Sequence, residues 1–276
     1  MTKADITAQI KCKRTFLCVG LDTDIEKIPA HLQKEKDAVF QFNKQIVDAT
    51  AKYCVAYKPN TAFYESEGLE GWKNLEKTIH YIKTNYPQHL VIADAKRGDI
   101  GNTSKRYAKA FFEKLNADAI TVAPYMGFDS VEPFLGFDNK WVILLGLTSN
   151  SGSEDFQQLN LKTGHSLFET VVQKATTWAA SDQLMFVTGA TKPDMIREIR
   201  AIAPDYFFLV PGVGAQGGDL DAVAEAGLNK EIGLLVNASR SVLYASSGED
   251  FATAAAEEAL RLQKQMEMLL AKHQLI

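Results

Sequence analysis

Short runs of apolar and β-branched residues recur along the whole chain. The eight runs begin at Thr15, Cys54, Leu90, Ala119, Trp141, Leu184, Tyr206 and Ile232. None of them alternates regularly between apolar and polar residues, which is typical of strands that are buried on both faces of a parallel sheet. The pattern therefore predicts eight parallel β-strands.

The segments between these runs show the spacing of amphipathic helices. Two clear examples have apolar residues every three or four positions, one over Leu69, Trp72, Leu75, Ile79 and Ile82 and one over Tyr107, Phe111 and Leu115. A single apolar stripe of this kind packs a helix against a core. Strands that alternate with helices, without a linker rich in Pro, Gly or Ser, predict one α/β domain over residues 1–276, a closed (β/α)₈ TIM barrel.

The alternative architecture is an open, doubly wound sheet. That fold normally carries a glycine-rich nucleotide-binding turn after its first strand. Here the first run leads into GLDTD at 20–24, which places acids where the glycines would stand. The closed barrel is therefore the preferred prediction.

Composition excludes several classes of protein. The 276 residues carry a net charge of −4, so the chain lacks the basic surface that binding to nucleic acid requires. The longest strongly apolar run, Trp141–Leu145, is too short to cross a membrane, and the N-terminus has no apolar core for a signal peptide. Three cysteines without metal-ligand spacing are typical of reduced thiols. We therefore expect a cytoplasmic protein with no nucleic-acid or membrane partner.

Charged residues stand at the ends of the first three predicted strands, where a barrel of this class carries its catalytic groups. Asp94 and Lys96 are two apart and should share the inward face of one strand. Lys58 ends the preceding strand, and Asp99 follows in a loop that could point to this mouth or across a subunit boundary. Opposite charges at close range should keep both lysines protonated. The plain structural interpretation is a salt-bridged rim, but four alternating charges favour a functional site.

A second cluster predicts a phosphate site. Glycines at 212, 214, 217 and 218 leave backbone amides accessible after the seventh strand, and Ser239 and Arg240 follow the eighth. The turn at 147–153 offers hydroxyl and amide groups that suit the edge of a base. The histidines at 31, 80, 89, 165 and 273 avoid these strand ends, and we expect all of them at the surface or in loops.

Six ordered motifs resemble the orotidine 5′-phosphate decarboxylase family, in particular its longer bacterial form, the type 2 subfamily. They are GLD at 20–22, YKPN at 57–60, DAKRGDIGNTS at 94–104, LTSNSGS at 147–153, PGVGAQGGD at 211–219 and NASRS at 237–241. The resemblance spans most of the barrel. It implies decarboxylation of orotidine 5′-monophosphate (OMP) to UMP and CO₂, the last step of de novo pyrimidine nucleotide biosynthesis, without a cofactor or a metal.

The resemblance also implies roles for individual residues. Lys96 resembles the proton donor that protonates C6 of the pyrimidine, and Lys58, Asp94 and Asp99 complete a charged tetrad. Asp99 and Thr103 would come from the other subunit of a homodimer whose active sites are shared across the interface. The implied substrate contacts are Asp22 and Asn60 for the ribose, Ser149 for the pyrimidine edge, and Gln216 and Arg240 for the phosphate.

Two departures from the family pattern concern the loops that cover the substrate. The loop after Gln216 is short, and the polar stretch after Ser149 is longer and could take over part of its covering role.

Three other functions remain open at this point. A sugar-phosphate decarboxylase or aldolase of the same superfamily would use the carboxylates to hold Mg²⁺, but Lys58 would compete with the cation. A non-catalytic sensor of nucleotide phosphates would not need a buried proton donor. Schiff-base chemistry would need a lysine of lowered pKa, and flanking aspartates act in the opposite direction.

Overall fold

The computed structural model describes residues 1–212 and 218–276. Within them, eight parallel strands close into a barrel in chain order. The strands are β1 Leu17–Gly20, β2 Ala56–Lys58, β3 Leu90–Arg97, β4 Ala119–Val122, β5 Trp141–Leu147, β6 Leu184–Thr188, β7 Phe207–Pro211 and β8 Leu234–Ala238. The predicted (β/α)₈ TIM barrel is confirmed.

Helices alternate with the strands and surround the barrel. They are α1 Lys3–Lys13, α2 Ala30–Gln33, α3 Ala38–Thr50, α4 Thr61–Glu65, α5 Gly68–Asn85, α6 Gly101–Ala108, α7 Glu132–Leu135, α8 Ser153–Phe156, α9 Leu167–Ala175, α10 Pro193–Ile202, α11 Leu220–Gly227, α12 Arg240–Leu243 and α13 Phe251–Lys272. A π-helical segment, Lys109–Lys114, continues α6, and a 3₁₀ turn, Phe128–Ser130, precedes α7. None of these helices is long and apolar enough to cross a membrane.

Sequential strands pair around the barrel, as expected for short right-handed crossovers. Gly20 at the end of β1 is in register with Lys58 at the end of β2. The carboxyl ends of β1, β2 and β3 consequently lie side by side. This register places the charged residues of three separate sequence segments at one mouth of the barrel.

The predicted stripe of α5 is buried at Leu75, Ile79 and Ile82, but not in the first turn of the helix. Leu75 is fully buried, but Leu69 is 71% exposed and Trp72 is 36% exposed. The inward position in the first turn is Gly71, where a Cβ would lie 1.7 Å from the carbonyl oxygen of Tyr64. A glycine lets α5 approach α4 closely, and this approach turns Leu69 and Trp72 towards the surface.

His89 lies in the loop directly before β3, as expected, but its side chain is fully buried there. Its Nε2 lies 2.8 Å from the carbonyl oxygen of Ala51 and 2.7 Å from Lys13 Nζ. Burial, together with the charge of Lys13, lowers the pKa of His89 to about 4. The imidazole is therefore neutral in the folded protein at neutral pH.

His89 should make the stability of the fold depend on pH. In the unfolded chain a histidine has a pKa of about 6.5, so between that value and about 4 the unfolded state binds more protons than the folded state. The stability that neutral His89 provides is complete above pH 6.5 and is lost as the pH falls through this window. His89→Gln should therefore reduce the slope of the free energy of unfolding against pH, measured by urea denaturation.

The matched control is His80→Gln, because His80 is an exposed histidine on α5. That variant should keep the wild-type slope between pH 4 and 6.5. Equal slopes for the wild type and for His89→Gln would contradict the assignment of this pH dependence to His89.

Candidate active site

A pocket of about 300 Å³ opens at the carboxyl ends of the strands. Seven of the ten residues that the sequence nominated line it. They are Asp22, Lys58, Asn60, Asp94, Lys96, Ser149 and Arg240. Gln216 lies outside the described residues.

The core of the pocket is a row of four alternating charges. Asp94 is at its centre, with Oδ2 2.8 Å from Lys58 Nζ and Oδ1 2.7 Å from Lys96 Nζ. Lys58 Nζ also lies 3.7 Å from Asp22 Oδ1. Asp22 therefore extends the row beyond Lys58.

Burial and charge act in opposite directions on this row. Burial alone would lower the pKa of Lys58, which is 3% exposed, but the charges of Asp94 and Asp22 outweigh it and raise that pKa above its ordinary value. Burial would likewise raise the pKa of Asp94, but Lys58 and Lys96 together hold it well below its usual range. Lys58 and Asp94 are both ionised at neutral pH.

Lys96 adopts an unusual backbone conformation, with φ at +45°. The register between β3 and β4 shifts between Ala93 and Arg97, so the strand is irregular where Lys96 sits. A left-handed conformation of a non-glycine residue costs of order 1 kcal/mol and persists only where the surroundings enforce it. The Lys96 side chain remains 50% exposed, towards the mouth of the pocket.

Thr121 on β4 holds both functional groups of β3. Its Oγ1 accepts a hydrogen bond from the backbone N–H of Lys96 at 2.8 Å and donates to Asp94 Oδ1 at 2.9 Å. Sequence reasoning missed this residue, although a threonine inside the apolar run AITVA at 119–123 was a signal that could have been followed. The hydroxyl fixes the relative positions of Asp94 and Lys96.

Arg97 ties the end of β3 to the segment after β2. Its guanidinium forms an ion pair with Glu65 on α4 and lies over the rings of Tyr107 and Phe111, 5.3 Å and 5.5 Å from their centroids. It also donates to the carbonyl oxygen of Ala95 at 3.0 Å. The side chain thus supports the irregular end of β3 from the side away from the pocket.

Two tyrosines fix the loop that carries Asp22. Tyr64 OH donates to the carbonyl oxygen of Leu21 at 2.9 Å, and Tyr244 OH donates to that of Asp22 at 3.2 Å. Tyr244 OH also accepts from the backbone N–H of Asp24 at 2.9 Å. These residues are distant in sequence from Asp22, and no local pattern indicated them.

Asp99 and Thr103 are not brought into the pocket of their own chain. Asp99 Oδ1 accepts a hydrogen bond from the backbone N–H of Ile100 at 2.7 Å, just before α6. Thr103 is exposed on α6. Ile100 is itself 52% exposed, and Tyr125 after the neighbouring strand β4 is 86% exposed.

The opposite side of the pocket is built by the ends of β5 to β8. Ser149 packs against Gly189, where a Cβ would lie 2.8 Å from the Ser149 backbone nitrogen. Gly212, with φ at +97°, follows β7, and exposed Arg240 begins α12 after β8. This side presents hydroxyl, amide and guanidinium groups, which are suited to binding a polar ligand.

The pocket therefore combines an ammonium group in the mouth with a distant guanidinium. Lys96 can donate a proton and stabilise negative charge that develops nearby. No group of three or more His, Cys, Asp or Glu side chains that could hold a metal ion occurs in the described part of the chain.

Comparison with known proteins gives consistent results. Residues 15–256 match the profile of the orotidine 5′-phosphate decarboxylase / HUMPS family. The orotidine 5′-phosphate decarboxylase of Phocaeicola vulgatus is 56% identical over 99% of this chain and 100% of its own length. The Porphyromonas gingivalis W83 protein of the same name is 57% identical over the full length of both chains.

A solved structure shows the same architecture. The OMP decarboxylase of Leishmania donovani superposes with a TM-score of 0.80 at 37% identity, and the match covers 96% of this chain and 100% of that one.

Proposed function

This chain belongs to the orotidine 5′-phosphate decarboxylase family, and on that premise we propose that its pocket removes CO₂ from OMP with Lys96 as the proton donor. The observation that carries the proposal is the contact between Lys96 Nζ and Asp94 Oδ1 at the pocket mouth, 2.7 Å long. It places an ammonium beside a carboxylate that stays ionised. The reaction is the decarboxylation step of pyrimidine nucleotide biosynthesis.

Lys96 acts on the carbon that loses CO₂. When the bond between C6 and the carboxylate breaks, the electron pair stays on C6 as a vinyl carbanion with little resonance stabilisation. The Lys96 ammonium stabilises that charge and then transfers a proton from Nζ to C6, which yields UMP. The neutral amine regains its proton from solvent, and no cofactor or metal takes part.

Asp94 and Lys58 prepare Lys96 for this step. Asp94 keeps Lys96 close. Asp94 also lies near the substrate carboxylate and, because Asp94 stays ionised, it disfavours the bound ground state of the substrate. Lys58 holds Asp94 from the other side at 2.8 Å. Binding of the remote phosphate offsets the unfavourable contact between carboxylates.

The remaining pocket residues bind the nucleotide. Asp22 and Asn60 contact the ribose and Ser149 contacts the pyrimidine edge. Arg240 gives the phosphate a bidentate guanidinium contact, and Gln216, outside the described residues, assists it. The stretch after Ser149 takes over part of the covering role of the short loop after Gln216.

A homodimer with shared active sites would complete the charged tetrad. Asp99 and Thr103 do not line the pocket of their own chain, and they lie beside exposed apolar residues such as Ile100. We propose that they enter the pocket of the partner subunit.

Mixing two inactive variants tests this arrangement. Lys96→Ala and Asp99→Ala should each be inactive alone. A hybrid dimer would contain one pocket with both native residues, so an equimolar mixture that exchanges subunits should recover up to about a quarter of wild-type activity. A mixture that exchanges subunits, confirmed by differential tagging, and stays inactive would exclude shared sites.

Several further assignments belong to the same proposal. The chain is a member of the longer bacterial type 2 subfamily, residues 1–276 act as one decarboxylase domain, and the protein works in the cytoplasm.

Loss of the orotate absorbance of OMP with formation of UMP tests the function. An unchanged OMP spectrum would reject it.

A further inference from the structure

The pocket contains a buried amide that is not among the proposed catalytic or substrate-binding groups. Asn237 lies in β8, lines the pocket and is 6% exposed. Its Nδ2 donates to Ser239 Oγ at 3.0 Å. Its Oδ1 is buried and, among the described residues, has no hydrogen-bond partner. A buried carbonyl oxygen without a donor is unfavourable, so this atom is suited to accept a hydrogen bond from a ligand in the pocket.

The packing around Asn237 fixes which end of the amide faces a ligand. Asn237 and Ser239 are two residues apart, and a Cβ on Gly20 of β1 would lie 1.9 Å from Ser239 Oγ and 3.1 Å from Asn237 Oδ1. Glycine at position 20 leaves the room that these two side chains occupy. Because Ser239 engages Nδ2, the carbonyl oxygen is the atom left for a ligand.

The position of Asn237 in the barrel limits what that ligand group can be. Asn237 is in register with Cys18 of β1 on one side and with Pro211 of β7 on the other. It therefore lies in the strand that leads into Arg240, beside β1, whose end leads into Asp22. In the proposed function Asp22 contacts the ribose and Arg240 contacts the phosphate, so the ribose is the part of the substrate next to this junction.

We propose that Asn237 Oδ1 accepts a hydrogen bond from a ribose hydroxyl of the substrate. This inference rests on the proposed function and adds a subsite to it. A hydroxyl is the complementary group because it can donate to a carbonyl and still accept from a neighbouring donor. The phosphate, ionised at neutral pH, offers mainly acceptors and would be repelled by the carbonyl oxygen.

Substrates that lack one hydroxyl provide the test. With OMP, Asn237→Ala should lower kcat/KM by about 3- to 10-fold. The same substitution is then measured with 2′-deoxy-OMP and with 3′-deoxy-OMP. For the one of these two substrates that lacks the contacted hydroxyl, it should leave kcat/KM almost unchanged. A merely structural role would lower kcat/KM by the same factor for all three substrates, and that result would overturn the proposal.

Thr188→Val is the matched control. Thr188 on β6 also has a fully buried oxygen without a hydrogen-bond partner among the described residues, but it does not line the pocket. This variant should show no dependence on the ribose hydroxyls. If Asn237→Ala does not fold, Asn237→Ser is measured with the same three substrates.

Failure of this inference can be distinguished from failure of the proposed function. If the wild-type protein turns over OMP and Asn237→Ala loses activity uniformly, only the hydroxyl contact is wrong. If the wild-type protein does not turn over OMP, both are wrong.

Discussion

Replacing Lys96 with alanine should lower kcat by about 10⁴-fold, at the upper end of what one general acid contributes. Lys96 supplies both the proton and the positive charge next to C6, and the described part of the pocket contains one other ammonium, Lys58, which is buried between Asp94 and Asp22. The Kd for UMP should change little, because the product has lost the carboxylate. Steady-state kinetics and calorimetric titration with UMP measure the two quantities.

The matched control for this substitution is Lys52→Ala, since Lys52 is exposed and does not line the pocket. That variant should keep wild-type kcat. Turnover of Lys96→Ala within ten-fold of the wild type would remove Lys96 from the role of proton donor.

Replacing Asp94 with asparagine should both destabilise the protein and abolish most of its activity. Lys58 is 3% exposed, and Asp94 is its one carboxylate within 3 Å, since Asp22 is 3.7 Å away. Breaking a buried ion pair by removing one partner typically costs about 3–5 kcal/mol. Urea denaturation should show this loss, and kcat should fall because Lys96 is no longer held at the pocket mouth.

A second substitution separates the two effects. In the double variant Asp94→Asn with Lys58→Met the buried ammonium is gone, and the remaining unpaired charge is that of the partly exposed Asp22, which loses Lys58 at 3.7 Å. Part of the lost stability should therefore return. Activity should not return, because the contact between Asp94 and Lys96 is still missing. If Asp94→Asn denatures at the wild-type urea concentration, the ion pair with Lys58 does not have the energetic role assigned to it.

The barrel and most of the pocket were predictable from local sequence patterns. The eight apolar runs mark eight strands, and parallel strands that pair in order bring their carboxyl ends together. Asp94 and Lys96 followed from the two-residue period of a strand. The observed end of β3 is less regular than the predicted strand, because Lys96 adopts a positive φ where the register between β3 and β4 shifts.

The features that could not be predicted depend on contacts between distant segments. Thr121 becomes important only because β4 places its hydroxyl between Asp94 and Lys96. The burial of His89 depends on Lys13 and Ala51, which are remote in sequence. A periodic pattern states which face of an element is apolar, but it does not state which distant group that face meets.

The first turn of α5 shows a further limit of sequence patterns. The stripe through Leu69 and Trp72 fits a helical period, but Gly71 decides the packing because its lack of a side chain lets Tyr64 approach. The spacing of apolar side chains does not reveal a close approach that is possible only because a glycine has no Cβ.

The most direct test of metal-free decarboxylation is turnover of OMP by protein stripped of metal. The ultraviolet absorbance of OMP is followed with purified protein, in excess EDTA and in its absence. We expect the spectrum of OMP to change into that of UMP at the same rate in both, because Lys96 and its charged neighbours carry the chemistry. If OMP is stable in EDTA and turnover returns only with added Mg²⁺, the carboxylates hold a metal and Lys96 does not act alone.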